Sequence, residues 1–352
     1  MQAKGTLTLQ PALVWQLDAT ASRLDPGQLL AGWNGALDFD IATMGTLPEN
    51  QPDATLEIRK LTGVLRERPV RAQGKLHLTP QQVVDGKLDL ASGGSTVKLD
   101  AKPGASNDAQ LDLAIASLGD WLPDAQGHVQ GDLRLRGKSP KFSLDAKLQG
   151  NGIVYAGQTV DSLHLAANLP DLSNPGGQLD LDTGHANLGG LDFKRIELRG
   201  DGTASRHSLT LQASGQQLST RVALSGSMKG SAWNGTLSTL DLEPQGIPRW
   251  HLQQPSQLSY DGGAMSLSEL CLTAGEPQLC VAAKQDKAGN LDASYRLRDL
   301  PLALLMTFAG PDLPMRADGT LGGSGSIRRN AAGALSGSAS ITSPRGTITY
   351  VD

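Results

Sequence analysis

Side-chain chemistry in this chain has few places to begin: two cysteines, six histidines, one glycine-serine run and a scatter of carboxylates. Cys271 and Cys280 lie in the segment Leu270 to Val281, around Gly275-Glu276. With that pair at the centre of a turn, Ala274 faces Pro277, Leu272 faces Leu279, and Cys271 faces Cys280. Counted outward, this is a non-hydrogen-bonded pair, with Cα atoms about 4.5 Å apart. Such a pair can form a disulfide, and a disulfide implies an oxidising compartment. The other reading is two reduced core cysteines. Nine-residue spacing without a histidine partner disfavours zinc.

The rest of the inventory is thin. His77, His128, His164, His185, His207 and His251 include no pair at helical metal-binding spacing and no His-Glu-x-x-His. His77 and His164 fall on the wet side of alternating runs and read as exposed strand residues. In Gly323-Ser324-Gly325, Arg328 takes the place of the third glycine of a nucleotide loop, and no helix follows. No nucleophile elbow stands at a strand-to-helix turn. Asp132, Arg134 and Arg136 alternate along one run as a solvated strand face does. The reading is of a protein that is no enzyme and carries no cofactor or metal.

What remains is an aliphatic face. Leu88, Leu90, Val97, Leu99, Leu111, Leu113, Leu133, Leu135, Leu144, Leu148, Leu163, Leu165, Leu179, Leu181, Ile196, Leu198, Leu209, Leu211, Val222 and Leu224 recur at every second position, between polar or charged neighbours. Two readings compete. In one, two sheets stack and these residues interdigitate as a sandwich core. In the other, one sheet curls into a trough and leaves an apolar channel for acyl chains, since hydrocarbon asks only for nonpolar surface, at about 25 cal/mol per Å².

The elements that must carry such a face are antiparallel strands, because period-two alternation sends successive side chains to opposite faces. Glycine-rich clusters such as Gly93-Gly94, Asn174 to Gly177 and Gly189-Gly190 punctuate the runs as turns. Strand and turn spacings of about 8 to 12 residues give roughly two dozen strands in one meander. Phe193 and Ile196 differ in parity, which predicts a bulge at Lys194-Arg195. Short helical interruptions are expected near 25–33, 117–122 and 300–309. Glu243 to Trp250 is either an ordinary loop or a cover for a sheet edge. The fold expected is all-β: one continuous, elongated, curled antiparallel meander over 1–352 with an open hydrophobic groove.

Composition excludes several classes. With 31 Lys+Arg against 35 Asp+Glu the net charge is −4, which argues against nucleic acid as a partner. No apolar run is long enough to form a membrane-spanning helix. Aromatics make up 4%, too few for the girdles of an outer-membrane barrel. A surface β-solenoid would show a coil repeat of about 20 to 30 residues, and none is found.

Three segments carry a resemblance: Trp233 to Gly246, Trp250 to Ser259, and the cysteine hairpin from Leu270 to Cys280. They resemble the TamB family, the inner-membrane-anchored component of the translocation and assembly module of Gram-negative bacteria, related to the AsmA-like proteins. Asp299 to Leu305 is similar as well, so the specific likeness covers about residues 233 to 305. The resemblance implies a periplasmic, U-shaped sheet whose groove moves phospholipid toward the outer membrane. It also implies a part in outer-membrane protein assembly with a barrel partner of the TamA type. The family's N-terminal membrane anchor and its barrel-facing C-terminal portion are not recognised in this chain, which reads as a middle piece. Phospholipid acyl chains are the expected ligand. A scaffold that holds unfolded barrel strands by edge pairing is the alternative.

Overall fold

The computed structural model describes residues 2–48, 51–174, 176–309, 315–344 and 346–350. These hold 25 strands and one α-helix, and the pairings described below are all antiparallel. The chain forms two compact units: Met1–Gly157 with Ser162–Ser173, and Gln158–Asp161 with Asn174–Asp352.

In the first unit the strands are β1 (Gln2–Thr8), β2 (Leu13–Leu24), β3 (Gly35–Leu47), β4 (Asp53–Leu65), β5 (Arg68–Leu78), β6 (Val84–Ser92), β7 (Ser95–Ala101), β8 (Asn107–Ile115), β9 (Gln126–Lys138) and β10 (Lys141–Tyr155). Each pairs with the next in sequence. β11 (Gln158–Leu169) crosses the boundary between the units.

The second unit continues with β12 (Gly177–Thr183), β13 (Ala186–Leu188), β14 (Leu191–Thr203), β15 (Arg206–Gly215), β16 (Leu218–Lys229), β17 (Ala232–Pro244), β18 (Trp250–Leu252), β19 (Ser256–Asp261), β20 (Ala264–Thr273), β21 (Gln278–Gln285) and β22 (Leu291–Pro301). The helix α1 (Leu302–Ala309) precedes β23 (Met315–Arg329), β24 (Leu335–Thr342) and β25 (Gly346–Tyr350). β12 and β13 share the long β14 as partner, and β18 and β19 likewise share β17 and β20.

Local chemistry explains the joints. Between β13 and β14, Gly189 and Gly190 have φ of +60° and +79°, the left-handed pair that a tight two-residue hairpin needs. The register of β14 against β15 slips between Phe193 and Arg195, so Lys194 is the bulged residue, at the parity change. Other glycines lie inside strands. Gly86 lies within β6, where a Cβ would stand 2.0 Å from the Lys75 carbonyl oxygen, and Gly131 within β9 meets the Lys147 carbonyl at the same distance. At these positions the sheet brings neighbouring backbones too close for any side chain.

The helical interruptions are shorter than expected at two of three positions. Near 25–33 there is a single 3-10 turn, Pro26–Gln28, capped by Asp25. Asp25 Oδ1 accepts from Gly27 N and Gly35 N, both at 2.9 Å, and so ties the turn to the start of β3. Gly32, at φ +84°, ends any helical path. Near 117–122 the helical part is Leu118–Asp120, and Pro123 opposes its extension.

Asp120 anchors that turn. Its side chain is 5% exposed, 2.7 Å from Arg68 Nε, and accepts from Ser95 Oγ at 2.5 Å. Ser92 Oγ donates to its backbone carbonyl at 3.0 Å. Asp120→Ala strips Arg68 of its carboxylate partner and leaves the fully buried Ser95 bonded to Ser117 alone. It is expected to cost about 2 kcal/mol, the range for hydrogen bonds to a charged group. A urea midpoint equal to that of the unmodified protein would contradict this account.

An apolar core of the second unit lies at one margin of its sheet, where Trp250 (0% exposed), Leu272, Leu300 and Leu304 pack together. Trp250 pairs with Leu242 in register. The irregular segment before it therefore delivers a tryptophan into a core, and Ile247 packs there too.

Candidate functional site

The register brings the predicted aliphatic residues together within each unit. In the first, Leu88, Leu99, Leu111 and Leu133 stand opposite one another across β6 to β9, with Ala146 of β10 next in the row. Leu90, Val97, Leu113, Gly131 and Leu148 form the adjacent row, and Leu135 faces Leu144. In the second, Leu181, Leu198, Leu211 and Val222 form one row and Leu209 faces Leu224. Leu179 and Ile196 stand two positions from members of that row on the same strands, hence on the same face. Leu163 and Leu165 stand two apart on β11 and share a face of that strand.

None of these twenty residues is buried. Nineteen are half-buried and Leu209 is 36% exposed. Sandwich residues would meet a facing layer and lose nearly all of their exposure, as Trp250 has. The surface area agrees: the chain exposes 20734 Å² at 36.8 kDa, where a compact monomer of that mass exposes about 13,600 Å².

The aliphatic face also extends beyond what alternation marked. Phe39 faces Leu61, Ile41 faces Ile58, and these continue through Ala72 and Gly74 to Leu90 and Leu88. The bulge at Arg59-Lys60 interrupts the parity of β4, so Ile58 and Leu61 do not read as one set. In β17, Leu237 faces Leu224 and Leu240 faces Val222. Here too a register shift, between Ala223 and Leu224, hid the pattern.

The opposite face is ion-paired. Lys87 meets Asp100 at 2.8 Å, Arg134 meets Asp108 at 2.8 Å, and Arg195 meets Asp182 at 2.6 Å. The hydrogen bond from Arg134 is the main cause that holds Asp108 below its usual range. Exposed pairs of this kind are screened by solvent and add little to stability, so they keep the face wet rather than hold the fold.

Two histidines on that face are clamped rather than free, which corrects the simple exposed reading of His77. Its Nε2 lies 3.0 Å from Asp53 and its Nδ1 3.1 Å from Asp85, across β4, β5 and β6. His185 lies 2.8 Å from Asp192 and 3.4 Å from Asp161. The Asp53 hydrogen bond chiefly raises the His77 pKa, helped by Asp85 against partial desolvation. A raised folded pKa means that the clamp's stabilisation is complete below the unfolded value near 6.5 and is lost as pH rises through the folded value. The stability advantage of the unmodified protein over His77→Ala is expected to be larger at about pH 5.5 than at about pH 9. Urea midpoints at both pH values test this, and a difference independent of pH would sink it.

Cys271 and Cys280 stand in register and are joined as a disulfide. Glu269 lies close by, but both sulfurs are committed to each other and offer no thiolate to a metal. The hairpin stands as the turn geometry predicts, with Leu272 opposite Leu279. No helix among the described residues is long and apolar enough to cross a membrane.

Fold and surface together define a class: an antiparallel all-β protein whose sheet carries a partly exposed aliphatic face and an ion-paired one. The chain belongs to the TamB family, whose N-terminal domain matches residues 1–351. The match takes in nearly the whole chain, well beyond residues 233 to 305. The family is one of the bacterial cell envelope. No solved structure matches the chain.

Proposed function

We propose that this protein is a non-enzymatic conduit that carries phospholipid between the inner and outer membranes, with acyl chains on the aliphatic face and headgroups in water. The observation that carries this reading is that none of the twenty aliphatic residues is buried, although most of them stand in in-register rows. Leaving such rows in water has no benefit to the fold. Covering them with hydrocarbon recovers about 0.8 kcal/mol per methylene buried. The disulfide and the envelope family support a periplasmic setting. An inner-membrane anchor on the full-length protein and a TamA-type barrel partner in outer-membrane protein assembly belong to the same reading.

Native mass spectrometry of the purified protein tests the proposal. Co-purified phospholipid, displaced by added lipid, is the expected result. A protein that emerges lipid-free and takes up none from vesicles would end it.

A second reading, a scaffold that pairs unfolded barrel strands, is favoured by one observation: every residue of β24 is exposed, including Leu335 and Ile341. It predicts binding of barrel-strand peptides that is indifferent to charge on the aliphatic face.

A further inference from the structure

The helix α1 carries no ionisable group. Its one hydroxyl, Thr307 Oγ1, donates back to the Ala303 carbonyl at 3.3 Å. A helix that is apolar around its circumference belongs in a nonpolar medium, yet only part of α1 has one. Leu304, 4% exposed, packs on Trp250, Leu272 and Leu300, whereas Leu305 is 43% and Phe308 is 52% exposed.

At 3.6 residues per turn, Phe308 lies about 40° and Leu305 about 100° around the helix from Leu304. The exposed pair therefore adjoins the buried stripe instead of pointing away from it. That stripe rests on the same face as the rows above: Leu240 faces Val222 and packs against the cluster, and Leu297 and Leu321 pack there from β22 and β23. Resting on the conduit reading, we propose that α1 is a side wall of the acyl site in the second unit, with Leu305 and Phe308 in contact with a fatty-acyl chain. The occupant is hydrocarbon because the patch has no charge or free hydrogen-bonding side chain to read anything else, and because it continues an aliphatic face.

The test uses the full chain and a phosphatidylglycerol with a diazirine on its acyl chain, with labelled residues located by mass spectrometry. Labelling of Leu305 or Phe308 together with Leu211 or Val222 is expected, while Gln212 on the opposite face stays unlabelled. Since both helix positions are exposed, the Leu305→Asn, Phe308→Asn double variant keeps the fold. It is expected to lower labelling of Leu240 and Leu297 about tenfold. Labelling of Leu211 with none on α1, or no effect of the double variant, overturns the wall and leaves the conduit standing. No labelling on either face removes both. If the patch instead served self-association, a concentration-dependent dimer would vanish in the double variant, and the acyl assignment would fall.

Discussion

Leu135→Asp is expected to stop acyl transfer through the first unit while the sheet remains folded. Leu135 is half-buried on β9 between Ala109 and Leu144. In the lipid-free protein an aspartate there still reaches water, so the fold loses only the packing of one partly covered leucine, about 1 to 2 kcal/mol. Hydrocarbon laid over it must strip that water, and an unpaired carboxylate taken from water costs several kcal/mol or more. The penalty falls on the loaded state alone. Leu135→Ala, which shortens one contact among many, should transfer almost normally. Leu211→Arg in the second unit should fall between the two, because the arginine stem can lie along the face and lift its charge to the rim. Circular dichroism with photo-crosslinking to diazirine lipid separates the possibilities. An aspartate variant that crosslinks as well as the unmodified protein would show that the chains do not lie on this face.

Trp250→Ala is expected to destabilise the second unit more than truncation of any other residue in its core, by about 3 to 5 kcal/mol. Trp250 is fully buried and meets Leu272, Leu300 and Leu304, the residues that hold α1 to the sheet. Its Nε1 has no hydrogen-bond partner. Trp250→Phe therefore gives up volume but no hydrogen bond, and it removes an unsatisfied donor whose burial itself costs about 1 to 3 kcal/mol. The phenylalanine variant should lose far less than the alanine variant. A urea titration monitored at the margin of the second unit gives both values. Equal losses for the two variants would mean that the indole donor, not the packing, stabilises the margin.

How far the amino-acid order was legible depends on distance along the chain. The cystine hairpin was readable because its pairing follows from a turn only a few residues away, and Cys271 could be set against Cys280 by counting. The bulge at Lys194 was readable for the same reason, as a change of parity within one strand. Ile58 and Leu61 were missed as part of the face because the bulge at Arg59-Lys60 shifts parity where neither neighbour reveals it. The packing role of Trp250 was not legible from the irregular segment it ends. Its value comes from Leu300 and Leu304, some fifty residues on in the chain. The need for glycine at Gly86 and Gly131 was hidden, because a carbonyl from the adjacent strand pressing on a Cα leaves no mark in local sequence.

Alternation alone determined that this is an antiparallel all-β chain with one aliphatic and one ionic face, since side-chain direction along a strand is a local property with a period of two. Whether the aliphatic face would be closed by a facing layer is a question of how faces meet at long range, and two chains with the same alternation can answer it differently. Tertiary structure decided it: the leucine rows of both units keep part of their surface exposed, and among the described residues it is at the Trp250 margin that a helix comes down on the aliphatic face.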